Sequence, residues 1–416
     1  MKKLLLLSGF LLTSLFVQSQ EQETPAPSFI RSIVFSATDA DFGTTPIVQL
    51  GDRLRLQFDD IIGDEADYYY SIEHFNYDWT HSSLIKSEYL DGFDNLRIDT
   101  YENSFNTLQL YTHYELEIPN IDTQGFKVSG NYMLHISNDE GETVFSRKFM
   151  VYESLAQVQV SVVRPREVNN IPYKQTVHFS VHPEEFIIRN PGQNVKTLLL
   201  QNNQLTSAIT GLAPQYTAGN DLIYRYDAPS SFWAGNEYLA FDSKDLRAAT
   251  SSIERIEVHD LYHHYLFPSR VRATFPYTYN PDINGNFLIT TSQGNNNHTE
   301  AEYVWTHFSL DSPEITDAEV HIYGGFNNFH QDQSTLLTYN PLTNRYEGAR
   351  LFKQGFYNYK YVLLRADGTL DEGYFSGNFE QTENQYTVLI YYREPGGRYD
   401  RIIGMGTANS ASTGLD

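Results

Sequence analysis

VHIYGGFNNF, residues 320–329, starts as a strand and then breaks. Val320 and Ile322 alternate with His321 and Tyr323, and successive side chains of a strand point to opposite faces. Gly324 and Gly325 end the alternation, and Phe326-Asn327-Asn328-Phe329 supplies turn chemistry. The next strong alternation is YNYKYVLLR at residues 357–365, closed by Asp367-Gly368. Strand, glycine break, strand and turn over this span predict part of a β-sandwich.

The same rhythm extends in both directions. Towards the N-terminus, LRLQF (54–58), YYYSIEHF (68–75), YELEI (114–118), NYMLHI (131–136) and VFSRKFMVYE (144–153) keep period two. Gly51-Asp52, Ser129-Gly130 and residues 138–141 separate them, which predicts an immunoglobulin-like sandwich over 20–154. VQVSVVRP (158–165), TVHFSVH (176–182), KTLLLQN (196–202), LIYRY (222–226) and NEYLAFD (236–242) predict a second sandwich over 155–265. EYVWTHFSL (302–310), AEVHIYGG (318–325), YNYKYVLLR and QYTVLIYYRE (385–394) place a third over 266–403. Within it, the Gly/Asn-rich run 279–298 reads as a mobile hairpin or long loop. Residues 404–416, GMGTANSASTGLD, are small and polar and read as a disordered tail. The expected fold class is all-β: three tandem β-sandwich domains after a cleaved signal peptide.

Composition agrees. The chain has 416 residues, with 31 Tyr and 26 Phe, and aromatics favour strands. Its length suits about two to four domains. Helix-period apolar stripes are scarce beyond the first twenty positions. Trp79, Trp233 and Trp305 fall one per expected domain, suited to one large core anchor each. The formal net charge of -23 disfavours nucleic acid and anionic headgroups as partners and suits a hydrated surface.

Residues 1–19 read as a signal peptide. Lys2-Lys3 form the positive region, residues 4–17 the apolar stretch, and Val17-Gln18-Ser19 a cleavage site of small residues. The mature chain is then expected to begin near Gln20, with no later apolar run long enough to insert in a bilayer. The cysteine count is 0, which removes disulfides, thiolate chemistry and a lipoprotein anchor cysteine.

Few residues suggest chemistry. His259, His263 and His264 lie together; on a helix His259 and His263 would share a face, whereas along one strand they would stand about 13 Å apart. His178 and His182 on one strand have the same limitation. Asp282-Ile283-Asn284-Gly285-Asn286 carries oxygen ligands round a glycine, but the twelfth position of a calcium loop is Gln293 rather than Glu. A turn is therefore expected there. No nucleophile elbow, zinc-protease helix, phosphate loop or dinucleotide fingerprint occurs. No catalytic, cofactor or metal residue is assigned, and an enzyme is not expected.

Two resemblances follow from these motifs. VHIYGGFNNF, with GFYNYKYVLL and the Asp367-Gly368 turn, resembles the early-set domains of glycogen-binding modules. Those stack sugars on tryptophans, where this chain has Phe329 and Thr369-Leu370. A wider resemblance spans most of the mature chain through HFNYDWTHSSL (74–84), EYLDGF (88–93), YTHYELEIPN (111–120), NEYLAFDSKDLR (236–247) and NQYTVLIYYREPGGRYDRIIG (384–404). These are similar to the plug proteins of the type IX secretion system of Bacteroidetes. The resemblance implies a non-enzymatic plug, monomeric when free. It would sit in the periplasm against the giant outer-membrane translocon barrel and close its pore when no cargo or shuttle is engaged. It assigns no partner-binding residue; tyrosine-rich loops and the 279–298 run are general candidates. A periplasmic glycan-binding accessory is the alternative. The C-terminal ANSASTGLD does not read as a cargo sorting domain.

Overall fold

The computed structural model describes residues 20–38, 45–184 and 186–411. The expected signal peptide, and residues 412–416 of the expected tail, lie outside them. Among the described residues the fold is almost entirely strand, with two short α-helices at Lys86–Tyr89 and Pro191–Asn194. The all-β expectation holds. The strands gather round three large hydrophobic clusters, called here the first, second and third units.

The first unit is a sandwich of two sheets. One has the order Ile30–Ala37, Leu54–Asp60, Thr112–Ile118, Thr100–Asn103. The other runs Ile47–Gln49, Thr143–Tyr152, Gly130–Ser137, Tyr69–Phe75, Leu96–Arg97. Leu54, Leu56 and Phe58 point inward from one strand by the period-two rule. Phe58 stacks on Tyr114 at 5.1 Å and meets Phe145 edge-on at 5.2 Å. Each such buried ring contributes about 1.5–3 kcal/mol relative to exposure.

The second unit departs from the sequence expectation. One sheet is local: Ala156–Val163, Lys174–Pro183, Asp221–Tyr224, Tyr216–Ala218. The opposing sheet pairs Gln204–Thr210 and Val195–Gln201 with two strands from the far end of the chain, Gln385–Tyr392 and Arg401–Asn409. Leu198 lies opposite Leu389. The expected boundary at 403 and the disordered tail from 404 are therefore corrected, since an ordered strand runs to Asn409. The small residues that suggested a tail have a packing reason. A Cβ on Gly404 would meet Ala156 O at 2.4 Å, and one on Gly406 would meet Val158 O at 2.3 Å. Only glycine lets this strand approach the Ala156–Val163 backbone so closely.

The third unit is inserted between these two pieces, and it begins earlier than expected. Leu239–Asp242 pairs with Gly355–Arg365, and Tyr262–Leu266 pairs with Tyr303–Asp311. Residues 236–265 thus belong to the third unit rather than the second. Its sheet runs Leu239–Asp242, Gly355–Arg365, Ala318–Tyr323, Leu336–Asn340, Arg345–Lys353, Tyr303–Asp311, Tyr262–Leu266, Ile253–Val258. Phe241 and Phe287 stack on Tyr357 at 5.0 and 5.3 Å.

Two further expectations change. The tryptophans are not core anchors. Trp233 is 56% exposed with Lys174 Nζ 4.4 Å from its ring, and Trp79, in a left-handed turn, carries Lys148 Nζ at 4.3 Å. Trp305 is half-buried. Tyrosines and phenylalanines fill the cores instead. The 279–298 run is pinned rather than mobile. Phe287–Ile289 pairs with Gly355–Arg365, Asn358 Oδ1 accepts from Ile283 N at 2.6 Å, and Gly325 N donates to Gly285 O at 2.7 Å.

Candidate functional site: joints and apolar ends

The residues singled out for chemistry fall in structural roles. His259 and His263 face each other across a tight hairpin, not along one strand, with ring centroids 4.9 Å apart. His263 Nδ1 then meets His307 Nε2 at 2.8 Å; His307 comes from a neighbouring strand. Burial, and then the charge of His263, pull His307 down to about 4, and burial also lowers His263. His264 points the other way and meets Leu246 O at 3.2 Å. His178 meets Tyr226 O, and His182 lies 3.0 Å from Asp221. Asp282 closes its turn on Asn284 N at 2.7 Å, while Gln293 reaches Asp245 and Gln354, both at 3.0 Å. Among the described residues no group of three or more His, Asp or Glu is arranged for a metal.

What the sequence did not reveal is how polar residues lock the three units together. Between the first and third, Asp59 and Lys353 pair at 2.7 Å with both side chains buried. Tyr303 OH also donates to Asp59 at 2.7 Å, His113 Nδ1 lies 2.6 Å away, and Lys353 donates on to His298 O at 2.6 Å. Burial alone would raise the Asp59 pKa; the Lys353 charge and the His113 hydrogen bond outweigh it and hold it below the usual carboxylate range. Tyr303 is pushed well above its usual value by burial and then by Asp59.

Between the first and second units, the loop joining Gln385–Tyr392 to Arg401–Asn409 docks on the turn after Tyr69–Phe75. Arg393 forks onto Asp400 at 2.8 Å and reaches Asn76 Oδ1 at 2.8 Å. Asp400 accepts from Tyr77 N at 3.0 Å, and Tyr77 OH donates to Thr197 O at 2.9 Å. Tyr391 OH donates to Asn131 Oδ1 at 2.7 Å. The bidentate geometry makes these charged contacts specific as well as strong. At the second-to-third joint, Gln204 donates to Tyr238 OH at 3.1 Å, and where the chain leaves and re-enters the second unit Asn384 donates to Ala234 O at 2.8 Å and accepts from Asn202 at 2.9 Å.

The joints also shape the outer surface. Glu302 of the third unit accepts from Leu108 N and Gln109 N at 2.5 and 3.1 Å. This fixes a loop of the first unit that carries Phe105, Leu108 and Leu110 outward, Phe105 being 70% exposed. Leu110 lies against Gly63, next to exposed Ile62. At the opposite end of Thr112–Ile118, Ile121 is 90% exposed and Phe93 exposed beside it, its N–H bonded to Asp122 O. In the tyrosine-rich stretch at 68–70, Tyr68 and Tyr70 are buried. The useful sequence signal was FNTLQL (105–110), three large apolar residues in a stretch without strand alternation.

Val320 and Ile322 enter the third core. Asn328 and Phe329 both take left-handed backbone. The Phe329 ring is buried with Tyr238, Tyr323 and Val362, so it offers no face for a sugar.

Comparison with known proteins agrees with this architecture. The model of the type 9 secretion system plug protein 1st domain matches residues 30–153, the strands of the first unit. The chain is also similar to the crystal structure of a hypothetical protein from Parabacteroides merdae, with a TM-score of 0.89 and 31% identity, over 94% of this chain and 100% of that one. No curated protein matches. The first unit is thus a secretion-plug domain within an all-β scaffold. The chain belongs to the type 9 secretion system plug protein family.

Proposed function

We propose that this chain is a stopper that seats against the periplasmic opening of the giant outer-membrane barrel of the secretion system and closes it between transport events. The observation that carries the reading beyond the family match is the buried Asp59–Lys353 joint, with its counterparts at the other two junctions. A stopper for a wide pore must resist deformation, and units locked by buried polar contacts behave as one body rather than as beads on a flexible linker. Such a body needs a broad contact, since specific interfaces typically bury about 1,200–2,000 Å². The apolar ends of the first unit supply anchors of the kind that centre such contacts.

The rest of the chain is compatible. No helix among the described residues is long and apolar enough to cross a membrane, which fits a protein held at its site by a partner. The family is one of secretion plugs, and the role needs no catalysis. The acidic surface favours a protein partner over nucleic acid. The glycan-binding alternative loses support, because the ring expected to stack is in the core.

The test has two arms. The tagged protein, recovered from envelopes of the native cell in mild detergent, should bring the large translocon barrel with it. Cells lacking the protein but retaining the barrel should admit large solutes through the outer membrane. Recovery without the barrel, together with an unchanged permeability, would sink the proposal.

A further inference from the structure

Three guanidiniums that lie far apart in sequence line one cavity of about 400 Å³ between the first and third units. Arg31 comes from Ile30–Ala37, Arg147 from Thr143–Tyr152 and Arg350 from Arg345–Lys353. Phe287, Phe326 and Phe352 contribute apolar wall to the same space. Arg350 is only 8% exposed; it donates to Ser334 Oγ and lies 5.2 Å from the Phe326 ring centre. Arg147 donates to Ser146 O at 2.8 Å. The Nε of Arg31 is buried and has no hydrogen-bond partner. Among the described residues none of the three has a carboxylate oxygen within 4.0 Å.

The other charged groups round the cavity make their direct contacts with other residues, although Glu23 still feels the Arg147 charge and Asp332 the Arg350 charge. Glu23 accepts from Lys148 N at 2.6 Å and Asn328 Nδ2 at 2.5 Å, and lies 3.7 Å from His330 Nε2. Asp332 accepts from Ser334 N and Oγ at 2.7 and 2.5 Å. Lys353 is held by Asp59, and Lys148 sits over Trp79.

This arrangement is costly for a chain with 52 acidic residues against 29 basic ones. Three cations share one space with none in direct contact with a carboxylate, and the two carboxylates of the lining, Glu23 near Arg147 and Asp332 near Arg31 and Arg350, act on them only from beyond ion-pair distance. Unpaired charge removed from water is unfavourable. Burial, and then the neighbouring Arg31 charge, pull Arg350 down to about 10. Guanidinium forks match the planar or tetrahedral oxygens of carboxylates and phosphates. An aromatic wall beside a few convergent polar groups is the usual make-up of a small-molecule pocket, and the volume falls in the usual range of about 300–1,000 Å³.

We propose that this cavity binds a small organic oxyanion, a carboxylate or phosphate monoester carried on an apolar body, held between the first and third units by Arg31, Arg147 and Arg350. The anion supplies the direct ion-pair partner that Glu23 and Asp332, from beyond 4.0 Å, do not. Its apolar body lies against Phe287, Phe326 and Phe352.

The experiment uses the chain freed of residues 1–19, titrated by calorimetry at constant ionic strength with octanoate, octyl phosphate and neutral octanol. At least one of the anions should bind about tenfold or more tightly than octanol; which one does distinguishes the two headgroups. Arg31→Met and Arg350→Met should each weaken that anion about tenfold. Each should also leave the ligand-free melting temperature unchanged or higher, because the buried charge that is removed touches no carboxylate. Arg147→Met replaces Arg350→Met should the latter not fold. Anions that bind no better than octanol overturn the proposal, as do variants that keep their anion affinity. A lower ligand-free melting temperature in every variant also overturns it, since the arginines would then be structural.

Discussion

Lys353 Nζ and Asp59 Oδ2 meet at 2.7 Å in the buried contact between two units, although the two residues are separated by most of the chain. Asp59 occupies the outward face of a strand whose inward face, Leu54, Leu56 and Phe58, fills the first core. That outward position would be solvated in an isolated sandwich. Here the third unit covers it.

Asp59→Ala leaves Lys353 buried without its anion, and should cost about 3–5 kcal/mol. The double replacement Asp59→Leu with Lys353→Met should recover much of that loss, because no orphan charge remains. Urea unfolding of the three proteins checks this. The pH dependence has a definite sign. The folded pKa of Asp59 is depressed, so its contribution is fully present above the unfolded carboxylate value of about 4. It is lost as pH falls through the lower folded value.

Glu237 should show the opposite sign. Burial raises its pKa first, and the nearby Asp282 and Glu383 charges add to this. A raised folded carboxylate binds protons more tightly than the unfolded chain, so stability falls as pH climbs above about 4. Glu237→Gln keeps the oxygen that accepts from Tyr277 OH and removes the charge. It should be more stable than the parent at about pH 8, with the difference vanishing near about pH 4. Denaturant midpoints at the two pH values decide.

Gly406→Val should shift the last strand. Its side chain would start 2.3 Å from Val158 O, and crowding of this kind costs about 1–3 kcal/mol. Hydrogen exchange should report the loss in Arg401–Asn409 and Ala156–Val163 together, with the first unit unaffected.

Phe105→Glu and Leu108→Glu should fold normally, within about 0.5 kcal/mol of the parent, since both residues are exposed. If this end of the first unit meets the translocon barrel, each should reduce its recovery with the protein from envelopes. Equal substitutions at Phe93 and Ile121 probe the opposite end, and retention by all four variants would remove both ends from the interface.

Period two was enough to read the strands and the fold class, because each strand carries its own alternation. It could not show that Gln385–Tyr392 returns to Val195–Gln201, since pairing over such a separation leaves no local mark. Gly404 and Gly406 misled for a related reason: small residues mean freedom in an isolated tail and close packing beside another backbone. Helix and strand were the two local settings legible for His259 and His263, and a hairpin turn, which is neither, brings them together. The motifs HFNYDW and REPGGRYDRIIG were legible as a family resemblance, but nothing in either foretold that Asn76 and Tyr77 of one would grip Arg393 and Asp400 of the other. The arginine cluster was hidden most completely, because its members stand at positions 31, 147 and 350 and each looks like an ordinary surface cation.

The return of the last strands to the second unit imposes an order of completion. Ribosomes release the N-terminus first, so the first unit holds all its strands long before the chain is finished. The middle unit cannot close until Arg401–Asn409 has emerged, after the entire third unit. A copy cut short between Trp233 and Arg401 would therefore carry an open sheet edge in its centre, and cellular proteases would meet it before any partner did.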